Sequence, residues 1–180
     1  MKRWSVGGAV IESSVLPAAV PNSLDGAPGV LMVQNLRRGG ALDWTPPGGV
    51  IDGGESVIAG LTREVLEETG LSVREWTGPI YEIEAAAPGL GWELRVEVHR
   101  ALQVMGTLDI GSDPDGIVVD ADVLAHDDCN ERMRTAHRWV REPLVDWMAH
   151  QWSGTRRYSY VVEGDDPSDL RILRVGDPET

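Results

Sequence analysis

The stretch that decides the fold is residues 49–71, which read GVIDGGESVIAGLTREVLEETGL. Ser56 suits the N-cap of a helix, and Gly70 stands where a helix commonly ends in a left-handed residue. These signals predict a helix over residues 56–69. Successive helical residues are rotated by about 100°, so the apolar side chains fall on one side, where they can face a sheet.

Three carboxylates share the other side of this predicted helix, since Glu64, Glu67 and Glu68 fall within a sector of about 100°. Like charges at these spacings destabilise a helix by about 0.2–0.5 kcal/mol per pair. A divalent metal ion would offset the repulsion, and oxygen ligands favour Mg²⁺ or Mn²⁺. Magnesium usually binds through carboxylates together with substrate phosphates, so the pattern predicts metal-assisted phosphate chemistry.

A surface helix is the alternative interpretation. Glu67 and Glu68 alone are typical of a solvent-facing helix, and Arg63 with Glu67 forms an ordinary i, i+4 ion pair. Arg63 can equally hold a carboxylate in a fixed rotamer, which is a supporting role in a metal site. The complete pattern favours a site, and its specified positions are Gly49, Glu55, Arg63, Glu64, Glu67, Glu68 and Gly70.

With this spacing, the segment resembles the signature of the Nudix hydrolases, without departure at any specified position. The similarity is strong over residues 42–71, including WTPPGG at 44–49, and weaker over 4–150. The resemblance implies an α/β fold, a Nudix-type α/β/α sandwich around a mixed β-sheet. It also implies metal-dependent hydrolysis of a pyrophosphate bond in a nucleoside diphosphate linked to another moiety, by attack of water on phosphorus.

The resemblance also implies roles by position. Glu55 and Arg63 would stabilise the geometry of the loop and helix. A further acid outside the segment would act as ligand or general base, and Asp115 is favoured over Asp113, Asp120 and Asp122. The alternative is that Asp113 and Asp115 simply form an Asx-type turn. The implied metal ligands are Glu64, Glu67 and Glu68, with the backbone carbonyl of Gly48 or Gly49.

Fewer residues bear on the substrate. Arg37 and Arg38 precede the strand that leads into the segment, and arginine can bind phosphate oxygens bidentately. Trp44 can stack on a base, as can Tyr81 and Trp92, although each also suits a core or sheet position. A proline at position 88 is similar to one in ADP-ribose-cleaving relatives, but prolines are equally common in turns. Nucleoside triphosphates and nucleotide sugars such as ADP-ribose both stay open.

The composition excludes several classes of partner. Acidic residues number 29 against 16 basic ones, a formal net charge of -13. Nucleic acids and anionic membranes bind basic surfaces, so neither is expected. No stretch approaches the about 18 uninterrupted apolar residues of a membrane span. The single cysteine, Cys129, cannot form an internal disulfide, which favours a reducing compartment and predicts a cytoplasmic protein. Lys2 is the only lysine, and the arginine-rich composition is typical of GC-rich bacterial genomes.

The remaining pattern predicts the domain organisation. Residues 1–152 are expected to form the Nudix domain, and 153–180 a C-terminal extension that packs on the same domain or on a partner. This extension can form a β-hairpin and provide a homodimer contact. The other predicted elements are strands at 4–11, 30–36, 42–45, 79–86, 92–104, 117–119, 158–162 and 170–175, and a second long helix at 129–151.

Two other functions fit the sequence less well. A Nudix-fold module that senses a nucleotide without cleaving it has no need of all three carboxylates. An isomerase of allylic diphosphates would want a cysteine in the pocket, and Cys129 lies far from residues 49–71 in the sequence. Hydrolysis with Mg²⁺, or with Mn²⁺, of a small nucleotide diphosphate derivative is therefore the favoured prediction.

Overall fold

The computed structural model describes residues 1–110, 113–166 and 169–179. In these ranges the chain forms a five-stranded sheet of order β1-β5-β4-β7-β8 and a three-stranded sheet of order β3-β2-β6, with three α-helices. The elements are β1 (Lys2–Val10), β2 (Gly29–Leu36), β3 (Leu42–Thr45), α1 (Val57–Thr69), β4 (Leu71–Ala87), β5 (Trp92–Gly106), β6 (Val118–Ala125), α2 (His126–Arg132), α3 (Arg138–His150), β7 (Arg156–Glu163) and β8 (Arg171–Glu179).

Helix α1 begins and ends where its caps predict. The Ser56 hydroxyl accepts a hydrogen bond from the Ala59 backbone N–H at 3.2 Å. Gly70 adopts a φ of 71° and donates its N–H to the Leu66 carbonyl. Both caps satisfy backbone groups that a helix end leaves without partners.

The sheets lie between helices, which confirms the predicted α/β/α arrangement. Consecutive residues of β1 face opposite sides: Ala9 belongs to the same core as Leu61 of α1, and Val10 to the same core as Leu144 of α3. The large sheet is mixed, because β5 pairs parallel with β1 and antiparallel with β4. Two apolar cores follow, one beneath α1 and one beneath α3.

Three predicted elements differ from the structure. Strand β4 begins directly after α1, whereas the pattern predicted only its second half, at 79–86. The strand bulges between Thr77 and Tyr81. Strand β6 runs six residues beyond the predicted end at position 119 because it pairs along β2. The predicted helix over 129–151 is two helices, since the chain is extended at Ala136 and His137. The Thr135 hydroxyl just before this break donates to the Leu42 carbonyl at 3.2 Å, a tertiary contact that helical periodicity does not reveal.

The predicted C-terminal hairpin is confirmed, since β7 pairs antiparallel with β8. Strand β7 also pairs parallel with β4 in the large sheet, with Ile83 opposite Tyr158. Its Tyr158, Tyr160 and Val162 are buried in the core beneath α3. The hairpin thus completes the sheet that carries the site, while the homodimer contact stays a prediction.

None of the helices in the described ranges has the length and apolar character needed to cross a membrane.

Candidate active site

The loop before α1 lies along β1 and is fixed by backbone hydrogen bonds. Ala9 donates its N–H to the Pro47 carbonyl at 2.8 Å, and Gly7 donates to the Gly49 carbonyl at 2.9 Å. Gly48 has a φ of 142°, and a Cβ atom there would lie 2.2 Å from the Gly7 carbonyl oxygen. Only glycine fits so close an approach of two backbones. The Gly48 N–H in turn donates to Glu68 Oε2 at 2.8 Å, which ties the loop to α1.

Arg63 organises the acidic side of α1. Its guanidinium donates to Glu55 at 3.0 Å, to Glu64 at 2.7 Å and to Glu67 at 3.1 Å. Hydrogen bonds to Glu55 and then Glu64 raise the pKa of Arg63, and the bond from Arg63 lowers the pKa of Glu55. One planar cation therefore sets the rotamers of three carboxylates, through the fork geometry that distinguishes arginine from lysine.

The carboxylates of Glu64 and Glu68 are partly buried. Burial raises the pKa of Glu64, and the bond to Arg63 opposes that rise. Burial raises the pKa of Glu68 to about 8, while the Gly48 N–H opposes the shift and the charge of Glu64 adds to it. Desolvated acids beside like charges are a local excess of negative charge, which a divalent cation would balance.

The three carboxylates do not converge in this conformation. In the ranges that the structure describes, no three His, Cys, Asp or Glu side chains meet as a ligand set. The reason is visible in the contacts: Arg63 holds oxygens of Glu64 and Glu67, and the Gly48 N–H holds Glu68. The oxygen-only donor set and its desolvation nevertheless fit a hard divalent ion.

The acids beyond the segment approach α1 from the start of β6. The Asp113 carboxylate accepts N–H bonds from Asp115 at 3.1 Å, Ile117 at 2.8 Å and Val118 at 2.9 Å, so the Asx-type turn is present. The charge of Asp115 raises the pKa of Glu64, which places this exposed carboxylate near the site. Asp120 and Asp122 instead accept the N–H of the residue that follows each.

A cavity of about 410 Å³ opens beside this loop. Its wall is formed by β1, the loop before α1, β4, β5 and the first turn of α3. The lining residues are Val6, Gly7, Gly8, Arg37, Thr45, Pro46, Pro47, Gly48, Gly49, Val50, Tyr81, Ile83, Leu94, Val96, Val98, His137, Trp139 and Val140. A more open groove of about 820 Å³ lies between α3 and β8, away from the carboxylates. The smaller cavity is the relevant one, because Gly48 and Gly49 in its wall also contact Glu68 and Glu64.

The predicted substrate-binding residues lie in different places relative to the cavity. Arg37 lines the cavity and donates to both oxygens of Asp43 at 3.0 Å. Arg38 is exposed and is absent from the described lining of the cavity. Trp44 is 6% exposed in the core, with the Arg132 guanidinium over its ring at 5.3 Å. Trp44 therefore offers no free face to a base, because neighbouring side chains already cover it.

Sequence reasoning missed the contribution of α3. His137 and Trp139 line the cavity, and their rings stack with centroids 4.3 Å apart. They reach the cavity because extended residues interrupt the helix before α3, and no local sequence signal marked that interruption. Cys129 is buried in the core beneath α3, away from the described cavity wall.

Comparison with known proteins gives the family. The NUDIX domain model matches residues 16–148. A NUDIX hydrolase from Nitrosomonas europaea is 26% identical, with 82% of this chain and 90% of that chain covered and a TM-score of 0.62. The mutator MutT protein from Bacillus halodurans is 20% identical, with 94% and 97% covered and a TM-score of 0.61. Among curated proteins, none is significantly similar in sequence. The chain therefore belongs to the Nudix hydrolase family, enzymes that act on pyrophosphate bonds, as residues 49–71 predicted.

Proposed function

We propose that this protein hydrolyses the pyrophosphate bond of a nucleoside diphosphate linked to another moiety, with Mg²⁺ or Mn²⁺ as cofactor. Nucleoside triphosphates and nucleotide sugars such as ADP-ribose are the candidate substrates. One observation carries the proposal: the acids that Arg63 and Gly48 hold lie beside a largely apolar cavity lined by Arg37. Acids on one side and an apolar recess on the other suit a phosphate joined to an organic group.

The metal would be held by Glu64, Glu67 and Glu68. Gly48 is the better candidate for the carbonyl ligand, because the Gly49 carbonyl already accepts the Gly7 N–H at 2.9 Å. When bound, a divalent ion neutralises phosphate oxygens and lowers the pKa of a bound water. Arg63 would keep Glu64 and Glu67 oriented, and Glu55 would keep Arg63 in place.

Proton transfer and phosphate orientation fall to residues around these acids. Asp115 is our candidate for the general base, since it is exposed and its charge acts on Glu64. Arg37 would orient phosphate oxygens at the cavity mouth, with Asp43 holding its guanidinium at 3.0 Å. Arg38 would add charge outside the cavity.

A hydrolysis screen tests the proposal. The protein is incubated with Mg²⁺, Mn²⁺ or EDTA and with nucleoside triphosphates, ADP-ribose, dinucleoside polyphosphates and NADH, and products are separated by ion-exchange chromatography. We expect products only with metal, and a loss of about 10²-fold or more in Glu67→Gln and Glu68→Gln, by analogy with removal of a single electrostatic group from other active sites. Glu131→Gln is a matched control on the exposed surface. A protein that binds nucleotides without releasing products would instead be a sensor module.

The setting of the protein is also a proposal. The lone buried Cys129 suits a reducing compartment, which favours the cytoplasm. The net charge of -13 disfavours nucleic acid and anionic membrane as partners. A homodimer through the C-terminal hairpin is a further proposal, which sedimentation equilibrium would test.

A further inference from the structure

One hydroxyl in the described cavity wall has no hydrogen-bond partner. Tyr81 lines the cavity and is 1% exposed. Its ring is fixed by Tyr158, edge-on at 6.1 Å between centroids, and by Trp152 at 6.5 Å. No hydrogen bond to its hydroxyl is formed within the described residues. Burial, with a smaller effect of Tyr158 and Tyr160, raises the pKa of that hydroxyl. The hydroxyl is not fully enclosed by protein atoms, so it can bond a ligand that enters the cavity.

Neighbouring tyrosines show the usual arrangement. The Tyr158 hydroxyl donates to Asp146, and the Tyr160 hydroxyl donates to Glu142 at 3.2 Å. Both rings belong to the same core as Tyr81. Burial raises the pKa of Tyr81, so its hydroxyl stays protonated near neutral pH and can donate as well as accept.

The other polar side chains of the wall are engaged or lie at its rim. Arg37 is bonded to Asp43, and the Thr45 hydroxyl accepts from the Asn35 side chain at 2.9 Å. His137 stacks on Trp139 at the exposed start of α3. Within the described wall, Tyr81 thus carries the hydroxyl that is available to a ligand.

The remaining wall is apolar and suits a flat heterocycle. Branched side chains of three strands line it, namely Val6, Ile83, Leu94, Val96 and Val98. Such a surface cannot satisfy the several hydroxyls of a sugar, whose burial without partners is costly. A base has apolar faces and a hydrogen-bonding edge, so it matches apolar walls with one hydroxyl.

We propose that the cavity takes the heterocyclic base of the substrate and that the Tyr81 hydroxyl hydrogen-bonds its edge, which makes Tyr81 a specificity-determining residue. The inference rests on the proposed function, because Gly48 and Gly49 line the cavity and also contact the carboxylates of α1. A pyrophosphate at those carboxylates would therefore direct its nucleoside into the cavity. The nucleoside, and not a second sugar, is the part recognised there.

Binding of ligands that resist hydrolysis tests this assignment. The α,β-methylene diphosphates of adenosine, guanosine, cytidine and uridine are titrated by calorimetry with Mg²⁺, beside methylenediphosphonate, which lacks the nucleoside. The proteins are the wild type, Tyr81→Phe and Tyr160→Phe. Tyr160 is the matched control because its hydroxyl bonds Glu142, which keeps a second partner in Arg138 at 2.7 Å.

We expect the wild type to bind at least one of the four nucleotides more tightly than the others and more tightly than methylenediphosphonate. Loss of one hydrogen bond in Tyr81→Phe should lower the affinity for that preferred nucleotide by about 3- to 10-fold. The affinity for methylenediphosphonate should stay unchanged. Tyr160→Phe should change neither. An equal effect of Tyr81→Phe on all ligands, no effect on any of them, or a wild type without base preference overturns the assignment.

Two further readouts keep the result decisive. If Tyr81→Phe fails to fold by circular dichroism, the wild type is titrated with analogues of its preferred base that each lack one edge group, and equal affinities overturn the assignment. Because these ligands are not cleaved, the outcome is independent of the hydrolysis screen. Absence of products in that screen removes the proposed reaction, while a base preference that depends on Tyr81 would still stand.

Discussion

Gly49 lies directly against the carboxylate of Glu64: a Cβ atom at Gly49 would stand 2.3 Å from Glu64 Oε2. The Glu64 carboxylate can occupy this position only because residue 49 has no side chain. The same carboxylate is held from its other side by Arg63 at 2.7 Å. The position of Glu64 is therefore set jointly by a missing side chain and by a cation.

Substitution of this glycine should displace the carboxylate without unfolding the protein. In Gly49→Ala, the new methyl group would push Glu64 aside, and a shift near 1 Å at a site can lower turnover by about 10²-fold. Gly53→Ala is the matched control, because a Cβ atom there meets nothing within 4 Å. Steady-state hydrolysis rates compare the two, and equal rates would show that Glu64 tolerates displacement.

Removal of the Arg63 fork should weaken metal binding as well as turnover. Arg63→Lys keeps the charge but cannot hold Glu55, Glu64 and Glu67 together, and loss of such a supporting residue costs about 10- to 100-fold in metal affinity or activity. Mn²⁺ affinity is measured by electron paramagnetic resonance. Arg134→Lys, in an exposed pair with Glu131, is the control and should match the wild type. Unchanged Mn²⁺ affinity in Arg63→Lys would contradict a positioning role.

Two leucines on α1 should differ sharply in their effect on stability. Leu61 is 0% exposed in the core beneath α1, so Leu61→Ala leaves a cavity and should lower the free energy of unfolding by about 2–5 kcal/mol. Leu66 is 49% exposed on the same helix, and Leu66→Ala should cost less than about 1 kcal/mol. Urea titrations measure both, and a similar loss in the two variants would argue against this placement of α1.

His99 should make the fold sensitive to mild acid. Burial lowers the pKa of His99 below its ordinary 6.5, while Glu97, 3.5 Å away, and Glu82 oppose the shift. The unfolded chain therefore takes up the proton first, and stability is lost as the pH falls below about 6.5. Unfolding free energies at about pH 7.5 and about pH 5.5 test this. The loss should be smaller in His99→Gln, and an identical loss would assign the acid sensitivity elsewhere.

The lone thiol should be inert in the native protein. Cys129 is 0% exposed, and burial raises its pKa to about 12, so little thiolate exists at neutral pH and reagents cannot reach it. A disulfide reagent such as Ellman's should react slowly in native buffer and at once in denaturant. Rapid native reaction would show that α2 opens readily.

The acidic side of α1 could be predicted from the sequence because its residues are close together in the chain. The caps Ser56 and Gly70 and the spacing of the acids on α1 are local features, and each is reflected directly in residue type. The fork from Arg63 to Glu55 and Glu64 follows from the same few turns. Local chemistry therefore predicted the acidic side of α1, while the α/β/α fold was implied by the resemblance of residues 49–71 to the Nudix signature.

The cavity was not predictable, because its wall joins residues that are distant in sequence. His137 and Trp139 reach it only after the break before α3, which involves the contact of Thr135 with Leu42. Trp44 stands next to the loop in sequence, yet it faces the core because β3 pairs with β2 in the register that places Gln34 opposite it. Contacts between residues that are far apart in the chain decide these positions, and a local stretch of sequence does not reveal such contacts.

The two cores beneath α1 and α3 draw on different lengths of the chain. All buried members of the α1 core lie between Ala9 and Val123, whereas the α3 core also needs Trp139, Tyr158 and Val162. The packing beneath α1, which supports the acids of the candidate site, therefore uses no core residue beyond Val123 in the part of the chain that the structure describes. The packing beneath α3 is complete only with β7. Loss of the C-terminal strands would remove part of the core beneath α3 and leave every buried member of the core beneath α1 in the chain.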